Sequence, residues 1–162
     1  MRKAAAGSAL FFALAPGATA GLVPWWLTGW ETNAYSAPAQ VAGALLLAAG
    51  AIVLISAFVR FVVEGLGTPA PVAPTEHLVV GGLYRYVRNP MYLAVAAAIL
   101  GQALLLGQPV LVAYAAVFLA VTAAFVRLYE EPALRRRYGA QYDAYRRAVP
   151  GWLPRLRAPG RR

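Results

Sequence analysis

The sequence predicts an all-α integral membrane protein with about four transmembrane helices, of which spans three and four form a helical hairpin, followed by a cytoplasmic C-terminal amphipathic helix. Two observations predict this fold class. Hydrophobic residues make up 60% of the 162 residues and charged residues only 13%, whereas roughly a quarter of the residues in a water-soluble domain are charged. Long uncharged stretches also alternate with short basic segments, as expected for helices that cross a bilayer.

The lengths of the uncharged stretches define the spans. A helix needs about 20 apolar residues to cross roughly 30 Å of hydrocarbon. Residues 4–30 and 32–59 each meet this requirement, and residues 89–126 are long enough for two short helices. The sequence Gly107-Gln108-Pro109 near the middle of that third stretch is typical of a hairpin turn. We therefore predict one membrane domain, residues 1–162, with spans near 4–27, 39–62, 91–106 and 110–128.

The basic residues give the orientation. Arg2 and Lys3 precede the first span, three arginines lie at or between spans two and three, and the other ten lie between Arg127 and Arg162. The loop at 31–38 and the turn at 107–109 contain no lysine or arginine. All fifteen basic residues thus fall on one side, which the positive-inside rule assigns to the cytoplasm. We expect a bacterial inner (plasma) membrane location with both termini cytoplasmic.

Composition also excludes several function classes. The chain has no cysteine and one histidine, so disulfides, thiolate catalysis and a metal site are not expected. The net charge of +9 is explained by topology and by attraction to anionic lipid, and no nucleic-acid partner is required.

The N-terminus has an alternative interpretation. A basic start, an apolar run and Ala18-Thr19-Ala20 resemble a secretory signal with a cleavage site. Cleavage would leave three spans and place the two ends on opposite sides of the membrane.

The connecting loop, residues 63–90, contains a candidate binding segment. Gly81-Gly82 permits a tight turn, and Pro90 suits the first position of a helix, where its missing N–H has no cost. Asn89 is a plausible cap for that helix, whose N-terminus can hold an anionic group. The alternative is a membrane-entry loop whose tyrosines and arginines anchor at headgroup level.

A second candidate segment follows span four. Glu130 and Glu131 lie at its cytoplasmic mouth, and acids placed near a membrane tend to face a polar cavity. The segment 129–154 is predicted to be amphipathic, with one apolar and aromatic face formed by Leu134, Tyr138, Tyr142, Tyr145 and Val149. A basic helix lying on the inner leaflet explains the arginines but leaves the two adjacent acids unexplained.

Five short motifs occur in order across these segments. They are Gly82-Leu83-Tyr84, Arg88-Asn89-Pro90-Met91-Tyr92, Glu130-Glu131-Pro132-Ala133-Leu134, Gly139-Ala140-Gln141-Tyr142-Asp143-Ala144-Tyr145 and Val149-Pro150. With the helical hairpin between the second and third, this pattern resembles the isoprenylcysteine carboxyl methyltransferase and phospholipid methyltransferase group of integral-membrane enzymes. The resemblance covers roughly residues 65–154, and the first two spans share only their hydrophobicity with the group.

The resemblance implies S-adenosylmethionine as the methyl donor, bound at the cytosolic mouth of the hairpin. Its implied contacts, with Arg88 added as a partner for the cofactor's carboxylate, are Glu76, His77, Leu78, Val79, Tyr84, Arg88, Asn89, Pro90, Met91, Tyr92 and Glu130. Arg127 resembles the group's partner for the substrate carboxylate, and the implied catalytic residues are Arg127, Glu130 and Glu131.

The implied methyl acceptor is a lipid or a prenylated molecule, with either an isoprenylcysteine-type carboxylate or a phospholipid amine as the methylated group. Asn89 replaces the histidine common in the isoprenylcysteine enzymes, so the sequence does not choose between the two. Two other functions stay open, an NADPH-dependent sterol-type reductase and a non-catalytic membrane subunit or scaffold.

The one-sided basic residues generate a direct test of topology. Reporter fusions at residues 33 and 162 should report opposite sides of the membrane, because one position lies in a loop without lysine or arginine and the other lies at the arginine-rich end. Two fusions on the same side would contradict the four-span topology.

Overall fold

The computed structural model describes residues 14–33, 35–65 and 77–156, and every regular element within these ranges is helical. The predicted all-α class is therefore confirmed. The elements in chain order are a π turn at Ala18–Leu22, α1 (Val23–Thr28), α2 (Ala37–Gly65), a 3-10 helix (Gly82–Arg85), α3 (Pro90–Leu106), α4 (Pro109–Phe125), a second π turn (Val126–Glu130), α5 (Glu131–Tyr138) and α6 (Ala140–Ala148).

Two helices within the described ranges are long and apolar enough to cross a bilayer. They are the 24-residue stretch Ala37–Arg60 of α2 and the 30-residue helix Pro109–Tyr138, which runs through α4, the second π turn and α5. Helix α3 is a shorter apolar helix of 17 residues. Residues 4–13 of the first predicted span lie outside the described residues, and its described part is helical as far as Thr28. The total of four spans stays a prediction.

The predicted hairpin turn between α3 and α4 is confirmed. Gly107 adopts a left-handed backbone with φ +63°, which a residue without a Cβ tolerates best. Pro109 begins α4, where a proline lacks only an N–H that the helix would not use. The turn is held from outside by Asn33, whose Nδ2 donates to the Gly107 carbonyl at 3.1 Å.

Helices α2 and α3 are in backbone contact along a line of glycines. A Cβ on Gly101 would lie 2.6 Å from the Leu47 nitrogen and 2.8 Å from the Gly43 oxygen. A Cβ on Gly50 would lie 2.8 Å from the Ala94 oxygen. Small residues let apolar helices approach this closely in a membrane, where packing rather than water exclusion drives association. The small residues of α3 therefore serve close helix packing.

The first π turn is joined to the hairpin by two hydrogen bonds. Pro24 has no N–H for the carbonyl four residues before it, which belongs to Ala20. Instead, Gln102 Nε2 of α3 donates to the Ala20 oxygen at 2.7 Å, and the Tyr114 hydroxyl of α4 donates to the Thr19 oxygen at 2.8 Å. Polar groups inside hydrocarbon need partners within the protein. These contacts hold the Ala18-Thr19-Ala20 segment against α3 and α4.

Two boundaries differ from the prediction. The fourth helix does not end near residue 128 but continues to Tyr138, because the π turn accommodates Pro132, which cannot donate to the carbonyl of Leu128. The predicted single amphipathic helix is instead two helices, α5 and α6, separated by Gly139 with φ +51°. A residue without a Cβ tolerates this positive φ best.

The glycine line generates a stability prediction. Gly101→Ala should lower the free energy of unfolding by about 1–3 kcal/mol, the usual cost of overpacking, although alanine favours helix by roughly 1 kcal/mol. Gly21→Ala is the matched control because a Cβ there meets nothing within 4 Å, so this variant should be neutral or more stable. Thermal unfolding in detergent measures both. A Gly101→Ala protein as stable as the control would contradict backbone contact between α2 and α3.

Candidate functional site

The described part of the connecting loop, residues 77–89, is fixed against the C-terminal part of α2. Val79 and Tyr84 are buried and pack with Ala57 of α2. The predicted turn at Gly81-Gly82 is present, and Gly82 has φ +53°. His77 is exposed and Leu78 is half-buried. Glu76 lies outside the described residues.

The tail, residues 149–156, runs along the connecting loop and bonds to it through the backbone. The Arg88 N–H donates to the Pro150 oxygen at 2.9 Å, and the Arg155 N–H donates to the Tyr86 oxygen at 3.0 Å. Both the backbone N–H and the side-chain Nδ2 of Asn89 donate to the Gly151 oxygen. Asn89 occupies the N-cap position of α3 but makes no capping hydrogen bond, so its predicted capping role is wrong. Its side chain holds the tail instead.

An ion-paired cluster joins the connecting loop to α5 and α6. One guanidinium nitrogen of Arg88 lies 2.6 Å from Glu131 Oε1 and also donates to the Tyr142 hydroxyl oxygen at 3.1 Å. The second carboxylate oxygen of Glu131 lies 3.3 Å from Arg146. The side chains of Arg88 and Glu131 are only 13% and 16% exposed, so solvent screens their attraction weakly. Charge-assisted hydrogen bonds of this kind are about twice as strong as neutral ones.

The aromatic face of α6 contacts the connecting loop rather than lipid. Tyr142 and Val149 are buried, and the Tyr145 hydroxyl donates to the Tyr84 carbonyl at 2.7 Å. Burial raises the pKa of the Tyr145 phenol, and burial together with the Glu131 carboxylate raises that of Tyr142. Both hydroxyls therefore stay protonated at neutral pH, and that of Tyr145 remains a hydrogen-bond donor.

A carboxylate and two aromatic rings meet where α3 begins. The Tyr92 hydroxyl donates to Glu130 Oε2 at 3.1 Å, and Glu130 is half-buried. The Trp152 ring lies 6.2 Å from the Tyr92 ring, centroid to centroid. The Nε of Arg88 is buried without a hydrogen-bond partner among the described residues. This arrangement offers aromatic faces for a cation, an acceptor for hydroxyl or ammonium groups and a buried donor for an anion.

The structure thus brings some of the predicted residues together and leaves others apart. Arg88, Asn89, Tyr92, Glu130 and Glu131 converge on the mouth of the hairpin. Pro90 begins α3, and Met91 packs with the hydrophobic core. Arg127 is exposed within the second π turn. Sequence reasoning missed Trp152 and Gly151, for which the only available signal was their position directly after the Val149-Pro150 motif.

The ion-paired cluster generates a prediction about the C-terminal part of the chain. Glu131→Gln removes both ionic contacts of this carboxylate and should lower the free energy of unfolding by about 1.5–3 kcal/mol. The control is Asp143→Asn, which breaks a more exposed pair with Arg135 at 2.8 Å and should cost about 0.2–1 kcal/mol. Thermal unfolding and limited proteolysis of the tail measure the two effects. Equal losses would show that burial does not strengthen the Glu131 contacts.

Comparison with known proteins adds an independent finding. The family model described as phospholipid methyltransferase matches residues 38–141, which is more than half of the chain. This range extends the earlier resemblance to α2, while Val149-Pro150 and the tail lie beyond it. Searches of curated proteins and of solved structures returned no match. With its helical hairpin and the polar residues at the mouth of that hairpin, the chain belongs to the phospholipid methyltransferase family.

Proposed function

We propose that the protein moves a methyl group from S-adenosylmethionine to a lipid or lipid-modified acceptor at the cytoplasmic surface of the membrane. The observation that carries this proposal is the meeting of Tyr92, Glu130, Trp152 and Arg88 beside the first turn of α3. Membership of the family supplies the reaction class, and the polar groups present fit the charges of the cofactor.

Each charge of the cofactor has a chemically matched group nearby. Its sulfonium is a cation, which the faces of Tyr92 and Trp152 can hold. Its ribose hydroxyls or its ammonium can donate to the Glu130 carboxylate. Its carboxylate suits the unpartnered Nε of Arg88 or the N–H groups that begin α3. When bound, S-adenosylmethionine supplies an electrophilic methyl group.

The chain's own part in the reaction is positioning. Methyl transfer is an in-line displacement, which depends on alignment more than on acid-base help. Alignment in this site rests on the connecting loop and the tail, which Arg88 and Asn89 hold together. We assign Glu131 to positioning, because both of its oxygens bind arginines. A carboxylate acceptor requires no base, whereas an amine acceptor must be neutral when it attacks.

The remaining predicted contacts form the rest of the proposal. Glu76, His77, Leu78, Val79 and Tyr84 belong to the connecting loop, where main-chain groups are suited to reach a bound nucleoside. Arg127 is the proposed partner of an anionic acceptor, consistent with its exposed position near Glu130. The proposed topology of four spans with both ends cytoplasmic places these groups at the inner leaflet. An acceptor whose tail lies in the bilayer can then present its head group to them.

A cofactor-binding measurement tests the proposal and its alternatives. Equilibrium dialysis of the purified protein should show binding of S-adenosylmethionine and none of NADPH. Glu130→Gln should weaken that binding by about ten- to a hundredfold, which corresponds to one charge-assisted contact of roughly 1.5–3 kcal/mol. Glu31→Gln is the control, because Glu31 is exposed in the loop before α2.

Three results would contradict the proposal in different ways. Binding of NADPH alone would favour the reductase, and binding of neither cofactor would favour a non-catalytic subunit. Unchanged affinity in Glu130→Gln would move the site elsewhere. If S-adenosylmethionine binds as expected, mass spectrometry of lipid extracts incubated with the labelled cofactor would identify the methyl acceptor.

A further inference from the structure

The tail, residues 149–156, carries two leucines whose side chains pack against almost nothing in the protein. Leu153 is 81% exposed and Leu156 is 100% exposed, the highest values among the large hydrophobic residues that the structure describes. Single exposed leucines are common on proteins that lie in water, so exposure alone does not indicate a partner. The position of the tail on the molecule decides what these side chains face.

Backbone hydrogen bonds to the connecting loop hold the tail on both sides of Leu153. The Arg88 N–H donates at 2.9 Å to the carbonyl three residues before it, and the Arg155 N–H donates to the Tyr86 oxygen at 3.0 Å. Leu156 follows Arg155 directly, at the Cα–Cα spacing of about 3.8 Å that a trans peptide sets. Both leucines are therefore presented from a backbone that the loop holds in place.

The loop residue that binds Arg155 lies beside the end of the apolar part of α2. Arg60 is the last residue of the stretch Ala37–Arg60 that is apolar enough to span a membrane. Arg60 and Tyr86 line the same groove between α2 and the 3-10 helix. The Arg60 side chain also lies against Gly82 at the start of that helix, 3.0 Å from a Cβ placed there. Because the Tyr86 carbonyl binds Arg155, the tail meets the loop where α2 leaves the hydrocarbon.

The side chains of the tail are of the types that occupy the boundary between head groups and acyl chains. Trp152 precedes Leu153, and tryptophan is enriched at both membrane–water interfaces. Arg155 lies between the two leucines, and its exposed guanidinium donates to the Ala148 carbonyl. Such a residue keeps its charge in water while its aliphatic part covers apolar surface. Tyr86, which binds the tail, is itself 37% exposed, so aromatic, basic and apolar side chains meet at this level.

We propose that the tail docks on the surface of the bilayer, with Leu153 and Leu156 inserted at the boundary between head groups and acyl chains. Lipid is the occupant because the bilayer that α2 crosses already ends beside the tail, so no other molecule has to be recruited. The leucines contact acyl chains, which charged and net-neutral lipids share, and make no choice among head groups. At this depth they gain the burial that the protein itself does not provide.

Docking would give the tail a second support besides the connecting loop. The ring of Trp152 lies 6.2 Å from the Tyr92 ring, and the Gly151 oxygen accepts both the backbone and the side-chain donor of Asn89. The bilayer would thus help to keep Trp152 at the mouth of the hairpin. This inference about the tail does not depend on the reaction that the protein performs.

Nitroxide labels placed on the tail test its position relative to the bilayer. The chain has no cysteine, so Leu153→Cys and Leu156→Cys each provide a single labelling site at an exposed position. The full-length protein is placed in phosphatidylcholine nanodiscs. Electron paramagnetic resonance then measures collisions of the label with oxygen, which concentrates in hydrocarbon, and with a water-soluble nickel chelate. Val121→Cys, 62% exposed on α4, is the hydrocarbon reference, and Gln141→Cys, exposed on α6, is the control in water.

The ratio of oxygen to nickel collisions should be higher at both tail positions than at Gln141→Cys, and should lie between that control and Val121→Cys. Because every variant carries the same label, a difference reports its position rather than the label's own affinity for lipid. A ratio equal to that of Gln141→Cys at either leucine would overturn the proposal by placing it in water. Few collisions with both reagents would also overturn it, since the leucines would then be covered by protein, such as a second copy of the chain.

Discussion

The contact between Arg88 and Glu131 sets the arrangement of the polar end of the molecule. Arg88 belongs to the connecting loop just before α3, and Glu131 begins α5 at the far end of the hairpin, so the 2.6 Å pair closes the polar end of both hairpin helices. Arg146 of α6 bonds to the same carboxylate, and the Arg88 backbone also holds the tail. Removing one partner of a largely buried pair leaves the other charge uncompensated, which costs more than the pair itself contributes.

The Tyr92–Glu130 hydrogen bond lies next to this pair. Glu130 directly precedes Glu131, and Tyr92 lies four residues after Arg88, so both contacts join the start of α3 to the long helix Pro109–Tyr138. The Tyr92–Glu130 hydrogen bond of 3.1 Å therefore forms only when the ends of α3 and the long helix Pro109–Tyr138 are correctly spaced. Close packing of α2 against α3 through Gly43, Gly50 and Gly101 fixes that spacing from the membrane side.

Sequence patterns predicted the elements that depend on local chemistry. The length of the uncharged stretch 32–59 predicted α2, and Gly107 with Pro109 predicted the hairpin turn. Each of these signals lies within the segment that it predicts. The motif positions predicted that Arg88, Tyr92 and Glu130 would lie near one another, and the structure brings them together. The roles of these residues remain predictions.

Contacts between distant segments could not be predicted from the sequence. Asn89 is of a residue type that commonly caps helices, yet its side-chain amide donates to the Gly151 carbonyl of the tail. The face of α6 has the periodicity of a membrane-surface helix, yet the Tyr84 carbonyl gives Tyr145 a protein partner. The contact of Trp152 with Tyr92 could not be predicted from its position after the Val149-Pro150 motif, because Tyr92 is far away in sequence. In each case a tertiary partner decided between two locally reasonable conformations.

The second π turn, Val126–Glu130, changes how positions along the fourth helix relate to one another. A π turn holds one residue more than an α-helical turn, and one residue corresponds to about 100° of rotation. Residues after the turn therefore face a direction about 100° away from the one that they would have if α4 continued as a regular α-helix. The exposed apolar side of α4 can face hydrocarbon while Glu130 and Glu131 turn inward. Loss of a single residue from this turn would rotate α5 and α6 together relative to α4, and would carry Glu131 away from Arg88.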